Sequence, residues 1–172
     1  MSTRSRRSAR LGRALLGLVT LSRDERALLA RALVLLPPVS AGLRLLGLRR
    51  MRRMLALAAA VRSVRRWDVE DDGRQATRTA WLVEVAARCL RPRPTCLAKA
   101  LVVSSLLRRR GVPAQLVIGV SKASGQLQGH AWVELDGPAV GEAAGPGRYA
   151  VLARMPGGPP ASVTIALHER AP

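Results

Sequence analysis

RPRPTCLAKALVVSSLLRRRGVPAQLVIGV, residues 91–120, holds a complete helix and the switch to strand that follows it. Pro92 and Pro94 stiffen the approach and keep helix from running in from upstream. Thr95 has the side chain of an N-cap, and Cys96 is the first helical residue behind it. Leu97, Leu101, Ser104 and Leu107 recur at helical spacing and mark a buried stripe. Arg108, Arg109 and Arg110 crowd the end where the helix dipole is negative, and Gly111 suits the C′ position. From Ala114 to Val120 the period is that of a strand.

Downstream the strand pattern continues. Leu127–Leu135 reads as a second strand, Asp136–Gly137 as a hairpin turn and Ala139–Ala143 as its return. Arg148–Ala153 and Ser162–Leu167 read as further strands around the loop Pro156–Pro160. Upstream the pattern is helical. Ser22 with Glu25 forms a capping box, and Leu28, Leu29, Ala32, Leu35 and Leu36 follow on one face. Pro37–Pro38 is expected to end that helix, and a second runs from about Val39 to Arg66. Asp68, Glu70, Asp71 and Asp72 precede Gly73, and the cluster reads as a solvated boundary loop in preference to a metal site. A third helix spans about Gln75 to Leu90. Helices first and an antiparallel sheet after them make an α+β protein. The expected division is a basic tail over 1–20, a helical region over 21–66 and the core over 67–172.

Composition bounds the function. The formal charge is +18, but only two of the 29 basic residues are lysine, Lys99 and Lys122. No stacking platform, zinc-finger spacing or helix-turn-helix punctuation accompanies the arginines, so nucleic acid is not the expected partner. The Arg-flanked apolar helices over 21–66 suit a membrane surface or a partner protein, or simply a helical hairpin packed on the core. The stretch Leu11–Leu21 is interrupted by Arg13 and too short to span a bilayer. Two cysteines make no disulfide framework, and a reducing cytoplasm fits them. No cofactor or metal is expected, since the Cys89–Cys96 spacing is not that of a zinc knuckle.

The chemistry-bearing residues are Cys96, His130 and Glu142. A thiol attacks as thiolate, and a helix start with its unpaired N–H groups is an address that favours it. Cys89, late in its helix among alanines, reads as a small core residue. His130 opens the strand that leads to the Asp136–Gly137 turn. An imidazole acting as base needs an acceptor on its other nitrogen. Asp136 lies six residues along the strand, roughly 20 Å away at about 3.3 Å per residue. Glu142 returns toward His130 if the turn is the three-residue loop Asp136–Gly137–Pro138, which would set residue 142 opposite residue 132. A two-residue loop would turn Glu142 to the other face.

The stretches Thr95-Cys96-Leu97, Leu106 to Pro113, Ile118-Gly119-Val120 and His130-Ala131-Trp132-Val133-Glu134 resemble lasso-peptide biosynthesis B proteins. These are transglutaminase-like, papain-like cysteine peptidases. The likeness covers roughly residues 85–155 and implies a Cys-bearing helix packed on a small antiparallel sheet. It further implies Cys96 as nucleophile, His130 as general base and then acid, and Glu142 as the residue that orients the imidazole. The activity implied is removal of the leader from a ribosomally made precursor. Because the residues before Cys96 read as helices, the chain resembles the split form, which works with a separate leader-recognition protein and hands its product to a macrolactam-forming cyclase. Two other readings stand beside it: an acyltransferase of the same fold, and a non-catalytic basic scaffold.

Overall fold

The computed structural model describes residues 21–59, 69–123, 126–141 and 148–155. Three helices precede three strands: α1 (Arg23–Ala59), α2 (Val69–Cys89), α3 (Cys96–Arg108), β1 (Gln115–Ala123), β2 (Gln126–Glu134) and β3 (Ala150–Met155). The sheet is antiparallel with order β2-β1-β3, so the first strand is central. The α+β class read from the order of periodicities is the one observed. The segment Ser162–Leu167, expected as a strand, lies outside the described residues.

The capping box forms as expected at the start of α1. The Glu25 amide donates to Ser22 Oγ at 3.2 Å, and the Ser22 amide donates to Glu25 Oε2 at 2.8 Å. Pro37–Pro38, however, does not end the helix, which runs through both prolines. The two missing amides leave carbonyls on a turn that includes the exposed Val34, while Leu36 and Val39 on either side are buried. Packing of those two residues outweighs the local cost of the prolines. The real break is Gly47, at φ 74° and ψ 172°, a conformation open to glycine and closed to most other residues.

A second correction concerns the acidic cluster. Val69–Gly73 is the first turn of α2 and not a boundary loop. Asp71 Oδ2 accepts from Gln75 Nε2 at 2.6 Å, Asp72 is buried, and acidic groups suit the positive end of the dipole. Gly73 is tolerated because Ala76, Thr79, Leu82, Val83, Ala86 and Ala87 pack one stripe of α2 into the core. That stripe leads on to Leu90 and leaves Cys89 outside it, so Cys89, expected in the core, is exposed.

Leu28, Leu29, Ala32, Leu36, Val39 and Met51 of α1 share one buried cluster with α2, α3 and one face of the sheet. By length and composition Arg23–Leu57 could also cross a membrane. Its outer face is both apolar and basic, with Leu45, Leu46, Met54 and Leu57 exposed beside Arg49, Arg50 and Arg53.

Candidate active site

Thr95 caps α3 as its sequence predicts. Its backbone is extended, at φ −69° and ψ 163°, and its Oγ1 accepts from the Ala98 amide at 3.2 Å. Cys96 is therefore the first residue of the helix, half-buried, with the amides of Cys96 and Leu97 lacking intrahelical carbonyls. At the far end Gly111, at φ 82°, closes the helix. Val112 N–H donates to Leu107 O at 3.1 Å and Gly111 N–H to Arg108 O at 2.9 Å, the two bonds of a Schellman motif.

β2 splits its residues between two environments. Ala131, Val133 and Leu135 join the core shared with the helices, while His130, Trp132 and Glu134 line the other face. Gln126 to Gly129 are exposed, Ala131 to Glu134 are buried, and His130 stands between them where the strand enters the protein. Its pKa is held below 6.5, first by burial and second by the positive charge of Lys99. Lys99 lies one turn beyond Cys96 on the same side of α3. Its ammonium is itself held by Glu84 Oε2 of α2 at 2.7 Å. The helix that begins with Cys96 packs on β2, and its first turn acts electrostatically on His130.

Three aromatic rings gather here. The His130 and Tyr149 centroids are 5.1 Å apart with planes 27° from parallel, and His130 and Trp132 are 6.0 Å apart at 19°. Trp132 and Tyr149 complete the triangle at 6.1 Å. Tyr149 precedes β3, so β1 lies between it and His130. The β1 residue paired with His130 is Gly119, whose other neighbour is Val151 of β3. A Cβ on Gly119 would come within 2.7 Å of Trp132 Cη2 and 3.0 Å of the Ala150 carbonyl. Glycine is thus the floor over which the rings meet. Trp132 is fixed from beyond by Glu134, whose Oε1 accepts from its Nε1 at 2.9 Å and whose Oε2 is paired with Arg154. Glu134 is 2% exposed and both its oxygens are engaged, so its task is to hold Trp132.

The acid of the constellation is the point of divergence. Asp136, at φ 48°, and Gly137, at φ 110°, form a two-residue turn. Leu135 N–H donates to the Pro138 carbonyl at 2.9 Å, Glu134 pairs with Ala139, and Val140 N–H donates to Val133 O at 2.8 Å. Of the two loops the sequence left open, the two-residue one is formed. Pro138, with no N–H, occupies a ladder position whose second bond it cannot make. The premise that set residue 142 opposite residue 132 falls with the three-residue loop, and Glu142 lies outside the described residues. Asp136 is exposed in the turn. His168 also lies outside the described residues, and no group of three metal-ligating side chains occurs among the described ones.

Tyr149 was not singled out by sequence reasoning, and Gly119 and Lys99 were given no role in the site there. The signal for Tyr149 was present: it is the one tyrosine of a chain that has no phenylalanine. For Gly119 it was a glycine inside an apolar strand run, which marks close approach by another group.

A thiol at a capped helix start, on a helix packed against an antiparallel strand that carries an imidazole, is the framework of cysteine-dependent acyl transfer. Residues 39–154, well over half of the chain, match the transglutaminase-like superfamily, and the chain belongs to it. That superfamily includes cysteine peptidases and acyltransferases. No curated protein and no solved structure matches the chain.

Proposed function

We propose that the protein is a cysteine peptidase that removes the leader from a lasso-peptide precursor. The observation that carries the reading is the placement of Cys96 at the start of α3, with His130 on the strand that α3 packs against and the charge of Lys99 felt at the imidazole. The residues that resemble the lasso B proteins are those that build this arrangement.

Cys96 Sγ attacks the carbonyl at the leader–core junction as its proton passes to His130. The oxyanion that forms is met by the Cys96 amide at the positive end of α3. His130 then protonates the departing core amine, leaving the leader as a thioester on Cys96. Water, deprotonated by His130, attacks the thioester and releases the leader carboxylate and the thiol. No cofactor takes part. Glu142 is proposed as the acceptor that orients His130 on the resemblance alone, as the acidic residue that follows the His strand in that family; the two-residue turn removes the register argument for it. A separate leader-recognition protein presents the precursor, a macrolactam-forming cyclase receives the core, and the compartment is the cytoplasm.

The test incubates purified protein, the leader-recognition partner and precursor, and reads product masses. Wild-type protein yields leader and core, and Cys96→Ala, still folded, yields neither. Undiminished cleavage by Cys96→Ala overturns the mechanism. Amine-linked products in place of a free leader carboxylate assign the protein to the acyltransferases instead.

A further inference from the structure

We propose that Tyr149 is a positioning residue for His130, its ring reaching over the glycine floor at Gly119 to hold the imidazole in the orientation used for proton transfer. The inference rests on His130 being the general base. Tyr149 is not adjacent to His130 in sequence or in the sheet, because the central strand lies between them. A side chain at position 119 would fill the space where the rings meet, since even a Cβ lies within 2.7 Å of Trp132. Gly119 removes that obstacle at the position paired with His130. The chain spends its one tyrosine and one of three tryptophans on this triangle.

The three rings have different anchors. Trp132 is locked by the buried Glu134, which is itself paired with the exposed Arg154, so it is a fixed wall. Tyr149 is half-buried and leads directly into β3, so its backbone is tied to the sheet edge while its ring covers the imidazole. Both contacts with His130 are near parallel, which limits tilting of the imidazole. Aromatic faces attract an imidazolium, which would raise the pKa of His130. The pKa is lowered, first by burial and second by Lys99, and the stacked Tyr149 ring lies against the imidazole that is buried. The ring of Tyr149, and not its hydroxyl, supplies both the restraint and the cover.

The experiment compares wild type, Tyr149→Phe and Tyr149→Ala, each in a His168→Gln background so that His130 gives the single imidazole signal. His130 is titrated by NMR, leader cleavage is followed for kcat and KM, and thermal unfolding serves as the control for folding. Tyr149→Phe is expected to match wild type in both titration and kcat. Tyr149→Ala is expected to remain folded, to titrate at higher pH and to lose kcat by about 10²-fold with KM little changed, the scale of a misplaced catalytic group. An unchanged titration in Tyr149→Ala overturns the proposal, as does a Tyr149→Phe protein that behaves like Tyr149→Ala. The titration requires no substrate, so it decides the positioning role even if the precursor is not cleaved. Failure of the peptidase reading is seen separately, as cleavage that survives Cys96→Ala.

Discussion

At the scale of single residues, the divided environment of His130 governs how the site responds to pH. Burial and Lys99 both oppose protonation, so the imidazole remains a competent base below its ordinary value of 6.5. Lys99→Met removes the repulsion and keeps the burial, and His130 is then expected to titrate at higher pH, carrying the acid limb of the cleavage profile with it. Lys99→Arg keeps the charge and restores the wild-type limb. The same shift has a consequence for stability. The folded value lies below the unfolded one, so the native chain binds fewer protons in the interval between them. The contribution of His130 is full above 6.5 and is lost as pH falls through its lowered folded value. Urea unfolding above and below 6.5 is expected to show a smaller acid-side loss for Lys99→Met than for wild type; an equal loss contradicts the assignment. The placements of Cys96 and His130 were legible because a helix cap and the alternation of a strand are local signals. The third residue was not, since its assignment depended on a hairpin register that the sequence left open.

At the scale of elements, α3 was readable at both ends. Its start and stop signals, Pro94, Thr95 and Gly111, act within a few residues and form the cap and the closing bonds that they predict. Pro37–Pro38 and Gly73 failed as stop signals because each sits in a helix whose buried stripe continues past it, and burial of Leu36, Val39 and Ala76 is worth more than the local penalty. The aromatic triangle was unreadable in a stronger sense. It joins residues of β2 to the residue just before β3, a strand that is not its neighbour, and the order β2-β1-β3 brings them over Gly119. That dependence gives a sharp expectation. Gly119→Ala places a methyl against both Trp132 and the Ala150 carbonyl. Trp132 cannot step aside without breaking its bond to Glu134, and the carbonyl is backbone. The substitution is expected to cost about 2 kcal/mol in urea unfolding, as overpacked sites do, and to perturb the His130 resonances. Full wild-type stability would show that the strands separate freely there and that the floor is not needed.

At the scale of the whole molecule, the core ignores the division into a helical region and a catalytic part. Leu21, Leu28, Leu29, Ala32 and Leu36 precede residue 39, where the match to the superfamily begins, yet they belong to the same buried cluster as Leu82, Leu106, Leu116 and Val133. The first half of α1 is thus a wall of the domain that holds the site. A chain cut to begin at residue 39 would leave the inner sides of α2 and α3 facing water, and the segment 39–172 is expected not to fold independently. A milder probe separates this from a general effect of truncation. Leu36 is fully buried, and Leu36→Ala is expected to cost about 3 kcal/mol, the transfer loss plus the cavity. If α1 and the sheet form one cooperative unit, far-UV circular dichroism, which follows the helices, and the His130 NMR signal, which follows β2, must still lose their native values at the same urea concentration in that variant. Two separated transitions, with His130 retaining its native signal after α1 has melted, would make the N-terminal helix an appendage to the site instead of part of its foundation.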